Sequence, residues 1–374
     1  MARLVVCVFA ALGACGDSSS TPPLGSEIEG CGGAKLLAGD ADLAAPGPWA
    51  VGARTVTLGS LTAEVWYPAP PGSDEGKEKA RYDIRTALPA SEATKIPDAD
   101  NPWQDCGCVR DLPLDTTRGP YPAIVFVHGT AGFRHQSLAI TTHWASRGFI
   151  VMAVDHPGLV LRDLIGMACG QPAVSQNLAA DIQAELAALA APAGELAFLA
   201  GHVDASRLGL AGHSAGANAA ASASGAPNVG AVIAMAGNRS AQGTGLRGSL
   251  FLAGLDDTVV SPGQTRTAWS GSVSPRRFVS LTKGGHLAFS DLCETQNPDG
   301  QDLLAIANEY DVCGASLAGF LFDCAPDRLD GRRGWDISNA ASTAVLAEAL
   351  QCRPSTPASR LSATYPEVGE AVEE

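Results

Sequence analysis

Charge is scarce in this chain. Asp, Glu, Lys and Arg make up 17% of 374 residues, while 46% are hydrophobic. That balance excludes global disorder, because a chain this apolar gains too much by burying itself. Basic charge is scarcer still: 25 Lys and Arg face 39 Asp and Glu, a net charge of −14. A surface of that sign repels a phosphate backbone, so no nucleic-acid partner is expected. The 42 Gly follow no collagen period, and no solenoid repeat is present. The apolar run at the start, Leu4–Ala14, has eleven residues, about half of what spans a bilayer. What remains is a globular chain, one large domain or two modest ones, long enough to bury a full core without staples.

Met1-Ala2-Arg3 is a short basic start to that run, so residues 1–14 read as a signal peptide. Leu12-Gly13-Ala14-Cys15 resembles a bacterial lipobox, which implies cleavage before Cys15 and lipidation of its thiol. The following Gly16-Asp17-Ser18-Ser19-Ser20-Thr21-Pro22-Pro23 has the composition of a solvated tether, and residues 15–48 as a whole read as tether and irregular segment. An acyl anchor would hold the protein on a membrane surface without spanning it, either in the periplasm or at the cell surface. Secretion without an anchor is the alternative. With residues 1–14 removed and Cys15 lipidated, eight cysteines remain: Cys31, Cys106, Cys108, Cys169, Cys293, Cys313, Cys324 and Cys352. An even number in an exported protein reads as up to four disulfides. Cys106 and Cys108 are too close to pair comfortably, so each is expected to reach elsewhere. A CxC metal site is the rival, but no His/Cys set of ligand spacing accompanies it.

The domain that carries chemistry is expected over residues 49–352. Arg54–Leu58 and Ala63–Tyr67 alternate around a Gly-Ser turn and read as an antiparallel hairpin. Residues 70–120 read as a long surface insertion. Ala123–Val127 and Phe149–Val154 are continuous β-rich runs, as in strands covered on both faces. Leu208–Ala211, Val229–Ala236, Ser249–Ala253 and Arg277–Leu281 follow as strands. Ser137–Ser146, Val174–Ala190 and Ala215–Ser224 read as helices between them. Such alternation means an α/β fold: a mostly parallel twisted sheet with helices on both faces and its site at the carboxyl ends of the strands. Residues 290–352 form a Cys-containing segment that either covers the rim of the site or staples its back. Trp335–Leu350 reads as a final packed helix, and 353–374 as a tail whose last stretch, Pro366–Glu374, is frayed and acidic.

Gly212-His213-Ser214-Ala215-Gly216 is the single G-x-S-x-G pentapeptide, and it stands between a strand and a helix. That is the context of a nucleophile elbow, in which flanking glycines allow a tight turn that lifts the serine hydroxyl clear. A serine hydroxyl needs a base. After Ser214 the chain contains one histidine, His286, in the flexible turn Lys283-Gly284-Gly285-His286. Between the two stand Asp256 and Asp257 and no other carboxylate. The spacing of Gly254-Leu255-Asp256-Asp257-Thr258-Val259-Val260 favours Asp257 as the acid, leaving Asp256 to solvent or to the loop. The acid would fix the imidazole tautomer and stabilise the imidazolium. Acyl transfer also needs donors for an oxyanion. The backbone N–H groups of Ala215 and of Thr130, in the loop His128–Arg134 after the first buried strand, are the candidates. His135, His143, His156 and His202 have no partner pattern and read as structural or surface groups.

These residues together resemble the α/β-hydrolase superfamily, over about residues 120–290. Within it, FVHGTAGFRHQS and HWASRGFIVMAVDH, followed by GHSAG, look most like the branch of platelet-activating-factor acetylhydrolases and cutinase-like polyester hydrolases. The resemblance implies a serine esterase without metal or cofactor, acting on short-acyl or exposed esters, oxidised phospholipids among them. It implies Ser214 as nucleophile, Asp257 as acid, His286 as base, and Thr130 and Ala215 as oxyanion donors. Ala215-Gly216-Ala217-Asn218 departs from the Met-then-Gly run of polyester hydrolases, which leaves polymer hydrolysis an alternative, with acyl transfer or a non-catalytic lipoprotein behind it. The stretch Gly237–Gly248 is too short for a large cap domain. The apolar loop His156–Pro172 is expected either to form one wall of an acyl pocket or to pack as a helix on the sheet.

Overall fold

The alternation of β-rich runs and helical periods builds a ten-stranded sheet in the computed structural model, which describes residues 22–374 apart from 320 and 323. The signal peptide at 1–14 and Cys15 lie outside the described residues. The strands are β1 (Ala50–Leu58), β2 (Leu61–Ala69), β3 (Val109–Arg110), β4 (Tyr121–Val127), β5 (Ile150–Val154), β6 (Val203–His213), β7 (Val229–Met235), β8 (Gly248–Gly254), β9 (Arg276–Leu281) and β10 (Val368–Glu373). Their order across the sheet is β10-β9-β8-β7-β6-β4-β5-β2-β1-β3. The strands from β9 across to β5 run parallel, and the β1–β2 hairpin and β10 join antiparallel at either side.

The central strands are buried on both faces because helices cover both. In β4, Tyr121, Ala123, Val125 and Val127 face one core, and Ile124 and Phe126 face the other, the period of two that a strand imposes. The first core takes Ile182, Leu186 and Leu189 of α3 (Leu178–Ala190), Ala217 and Ala220 of α4 (Ala215–Ser222), and Trp269 of α5 (Pro262–Ser270). The second takes Leu138 and Trp144 of α1 (Leu138–Ser146) and Ile337, Leu346 and Leu350 of α7 (Gly331–Gln351). Between β5 and α3, the apolar loop contains α2 (Leu161–Ala168). In the Cys-containing segment, α6 spans Leu303–Glu309. Among the described residues no helix is long and apolar enough to cross a membrane.

Three expectations change. Cys106 and Cys108 pair with each other, at a Cα–Cα distance of 5.0 Å that lies inside the range a disulfide spans. The insertion at 70–120 is not only surface, because it contributes β3 to the sheet edge and buries Tyr82, Cys106, Cys108 and Leu112. The C-terminal stretch is not frayed. It pairs with β9, and its acidic residues find cations there: Glu370 meets Arg266, Glu373 meets Arg277 at 3.2 Å, and Glu374 meets Arg276 at 2.5 Å. Arginines of β9 and of the α5 helix stabilise an acidic edge strand. The other bridges are Cys31–Cys352, Cys169–Cys313 and Cys293–Cys324.

Candidate active site

Ser214 stands in the one-residue gap between β6 and α4, at φ 57° and ψ −118°. An L-residue in that region is strained, and the surroundings hold it there. Its N–H donates to Met235 O at 2.8 Å. Both flanking glycines are required sterically: a Cβ on Gly212 would lie 2.4 Å from the carbonyl carbon of Gly216, and one on Gly216 would lie 2.1 Å from Val127 O. The hydroxyl is thus carried on a sharp turn at the carboxyl end of the sheet, with the amino terminus of α4 behind it.

His286 follows β9 on the Lys283–Gly285 turn, and Asp257 follows β8. The two turns touch, since a Cβ on Gly254 would lie 2.3 Å from Gly284 O. His286 Nδ1 and Asp257 Oδ2 are 2.9 Å apart, and both residues are buried. The other oxygen of Asp257 accepts the N–H groups of Val259 and Val260 at 2.8 Å each, which fixes the carboxylate plane. Asp256 is exposed and lies 3.4 Å from Arg328. The His286 ring packs against His213, with centroids 4.7 Å apart, so the imidazole lies beside the residue that precedes Ser214. Among the described residues no hydrogen bond joins Ser214 Oγ to His286; resting hydrolase sites commonly hold that contact loose until substrate arrives.

The loop after β4 passes directly against the nucleophile. A Cβ on Gly129 would lie 3.3 Å from Ser214 Cβ. His156 N–H donates to His128 Nε2 at 3.1 Å, so the proton of this imidazole is on Nδ1, which donates to Gly129 O at 2.8 Å. Burial, with the neighbouring His156, lowers the His128 pKa to about 3, so the ring is neutral. In a trans peptide the C=O and the following N–H point opposite ways. With Gly129 O turned to His128, the Thr130 N–H points the opposite way. Ala131, at φ 59°, donates its own N–H to Leu159 O at 3.0 Å and is spent on the fold. Ala215 is the first residue of α4, where an N–H has no intrahelical acceptor.

Charge anchors the far end of this loop. Arg134 N and Nη1 donate to Asp155 Oδ1 and Oδ2 at 2.8 and 2.6 Å. Burial opposes ionisation of Asp155, but the charge and backbone N–H of Arg134, together with the charge of Arg162, hold the carboxyl below its ordinary pKa. Glu64, fully buried on β2, accepts from Thr55 Oγ1 at 2.7 Å, Tyr82 OH at 3.0 Å and Arg110, with Arg134 Nε 3.8 Å away. Sequence reasoning missed Glu64, Gln136, Asp155 and the structural part of His213. The Phe133-Arg134 pair was the one signal of that anchor. His135 and His143 are buried and bonded to Gln104 and Thr343, and His156 Nδ1 is 3.1 Å from Asp181.

Beside the loop lies an apolar cavity of about 80 Å³. Ala131 and Phe133 line it from the loop, Leu161 and Ile165 from α2, and Leu292 and Phe322 from the Cys-containing segment. The apolar loop after β5 thus contains a helix that lines this cavity, and the Cys-containing segment lines it with Leu292 and Phe322. Among the described residues no three His, Cys, Asp or Glu side chains are grouped to hold a metal ion.

A family model described as Platelet-activating factor acetylhydrolase, isoform II, matches residues 104–159, which includes β4, the loop after it and β5. Among solved structures, a ferulic acid esterase from Streptomyces cinnamoneus is similar at a TM-score of 0.58 and 21% identity, covering 87% of this chain and 98% of that one. A search of curated proteins finds no match. At this identity the likeness is one of architecture, and it agrees with the strand order above: the chain has the α/β-hydrolase fold.

Proposed function

We propose that the protein is a serine hydrolase of carboxylic esters. Ser214 Oγ attacks the ester carbonyl while His286 Nε2 takes its proton. The oxyanion is received by the N–H groups of Thr130 and Ala215, and His286 returns the proton to the leaving alcohol. Water, deprotonated by the same imidazole, then cleaves the acyl-enzyme. Asp257 keeps the Nδ1 proton in place throughout. The observation that carries this reading is a strained elbow serine with a buried Asp257–His286 pair, 2.9 Å apart, beside it. The matched acetylhydrolase model and the fold of the ferulic acid esterase support the same class.

We infer short acyl groups, taking the cavity that Ala131 and Phe133 of the oxyanion loop line as the acyl site. At about 80 Å³ it is roughly half the size of an engineered cavity that admits benzene, about 150 Å³. A fluorophosphonate probe is expected to label Ser214, and Ser214→Ala to lose labelling and at least ~10⁴-fold in kcat. p-Nitrophenyl acetate should be turned over far faster than the palmitate. An unlabelled wild-type protein would falsify the reading. We further infer an exported protein held at a membrane surface through lipid on Cys15, a reading supported by four disulfides, which persist in oxidising compartments. Cys15→Ala should move the protein from the membrane fraction to the soluble one.

A further inference from the structure

A chain of hydrogen bonds behind the elbow has a single consistent polarity. Gly129 N–H donates to Gln136 Oε1 at 3.0 Å. A backbone N–H can only donate, so this contact fixes which end of the Gln136 amide is oxygen. The amide nitrogen then faces His213 Nδ1 at 3.2 Å and donates to it. His213 must therefore carry its proton on Nε2, which lies 2.8 Å from His286 O, a group that can only accept. Burial and the adjacent His286 lower the His213 pKa to about 3, which keeps the ring neutral as this chain requires. The main chain adds to it: Asp291 N–H donates to Gln136 O at 2.9 Å, and Ser137 Oγ donates to Phe289 O at 3.1 Å. Gln136 and His213 are both at most 2% exposed, so water does not compete for these bonds.

We propose that Gln136 and His213 are positioning residues that lock the oxyanion loop to the loop of the general base. The inference rests on the serine-esterase reading. The two loops leave strands that are not neighbours: β4 and β9 are separated by β6, β7 and β8. The sheet alone therefore sets their spacing through a long path, whereas Gly129–Gln136–His213–His286 sets it directly. The path also runs through the residue before the nucleophile, so the hole, the hydroxyl and the base are referenced to one point. Neither side chain is placed in contact with the ester. Their contribution is geometric, and geometry of this kind has to hold to about half an ångström.

The test compares Gln136→Met, His213→Phe and the double variant with p-nitrophenyl acetate. Each single change is expected to lower kcat about 10- to 100-fold, with KM changed less than about twofold, since orientation is lost and binding is not. The double variant should lose no more than the worse single one, because both interrupt the same path. Gln136→Glu keeps the shape and the Gly129 bond; ionised at alkaline pH it offers His213 only acceptors and should lower kcat about tenfold there, whereas its protonated form can still donate; that pH-dependent loss, absent from wild type, decides the matter if the Met variant does not fold. Wild-type kcat in the single variants, or losses that multiply in the double, would overturn the relay. Labelling of wild-type Ser214 by a fluorophosphonate separates the two failures: an unlabelled wild type sinks the esterase reading, and a labelled wild type with unaffected variants sinks the relay alone.

Discussion

Asp256 and Asp257 are adjacent in the chain and opposite in surroundings. Asp257 is buried, has one oxygen on two backbone N–H groups and the other on His286, whereas Asp256 is exposed beside Arg328. Asp257→Asn is therefore expected to cost about 10⁴-fold in kcat, the loss seen when a triad imidazole is left in the wrong tautomer. Asp256→Asn should stay within about twofold on the same scale. Steady-state kinetics of both variants decides the assignment, and equal effects would refute it. A second carboxyl behaves differently. Asp291, held under α1 by the Ala139 N–H, has its pKa raised by burial from 3.8 to about 7. The native state keeps this proton after the unfolded chain has lost it, so the stability it contributes is full below pH 4 and fades as pH rises toward 7. Asp291→Asn should be near neutral in melting temperature at pH 4 and stabilising at pH 8. A difference that does not widen with pH would refute the shift. At this scale the catalytic candidates were legible, because few residue types can do the work and order along the chain eliminates the rest. Their buried supports were not. Nothing in Glu64, Gln136 or Asp155 distinguishes them in sequence from surface polar residues, since much of their meaning comes from partners 21 to 77 positions away.

Among elements, β4, β5 and the strands from β6 to β9 could be read directly, because apolar runs bounded by glycine and polar turns have one economical interpretation. The elements missed were those stabilised by contacts rather than by period. β10 is acidic and short and becomes a strand only beside the arginines of β9 and α5. At 156–172 the chain forms a helix that lines the apolar cavity with Leu161 and Ile165. That helix is pinned: Cys169, at the end of α2, is bonded to Cys313, which follows α6. Replacing both cysteines by serine should let α2 move outward and enlarge the cavity at Ile165. The ratio of kcat/KM for p-nitrophenyl octanoate over acetate is then expected to rise about tenfold, the scale at which apolar pockets discriminate chain length. An unchanged ratio would show that the bridge does not set the size of the pocket.

The molecule is built on one ten-stranded sheet with a large core on each face, and both termini of the described chain are fastened to it. β10 closes one edge, and Cys31 reaches across to Cys352 at the carboxyl end of α7. The spacing between those two cysteines, 321 positions, turns nearly the entire catalytic unit into a covalent ring. A protease that nicks any exposed loop inside the ring opens the circle without releasing a fragment. Clipped molecules should therefore migrate as a single species on a denaturing gel until a thiol is added and then fall into two, and an exported enzyme surrounded by proteases would outlast its first wound.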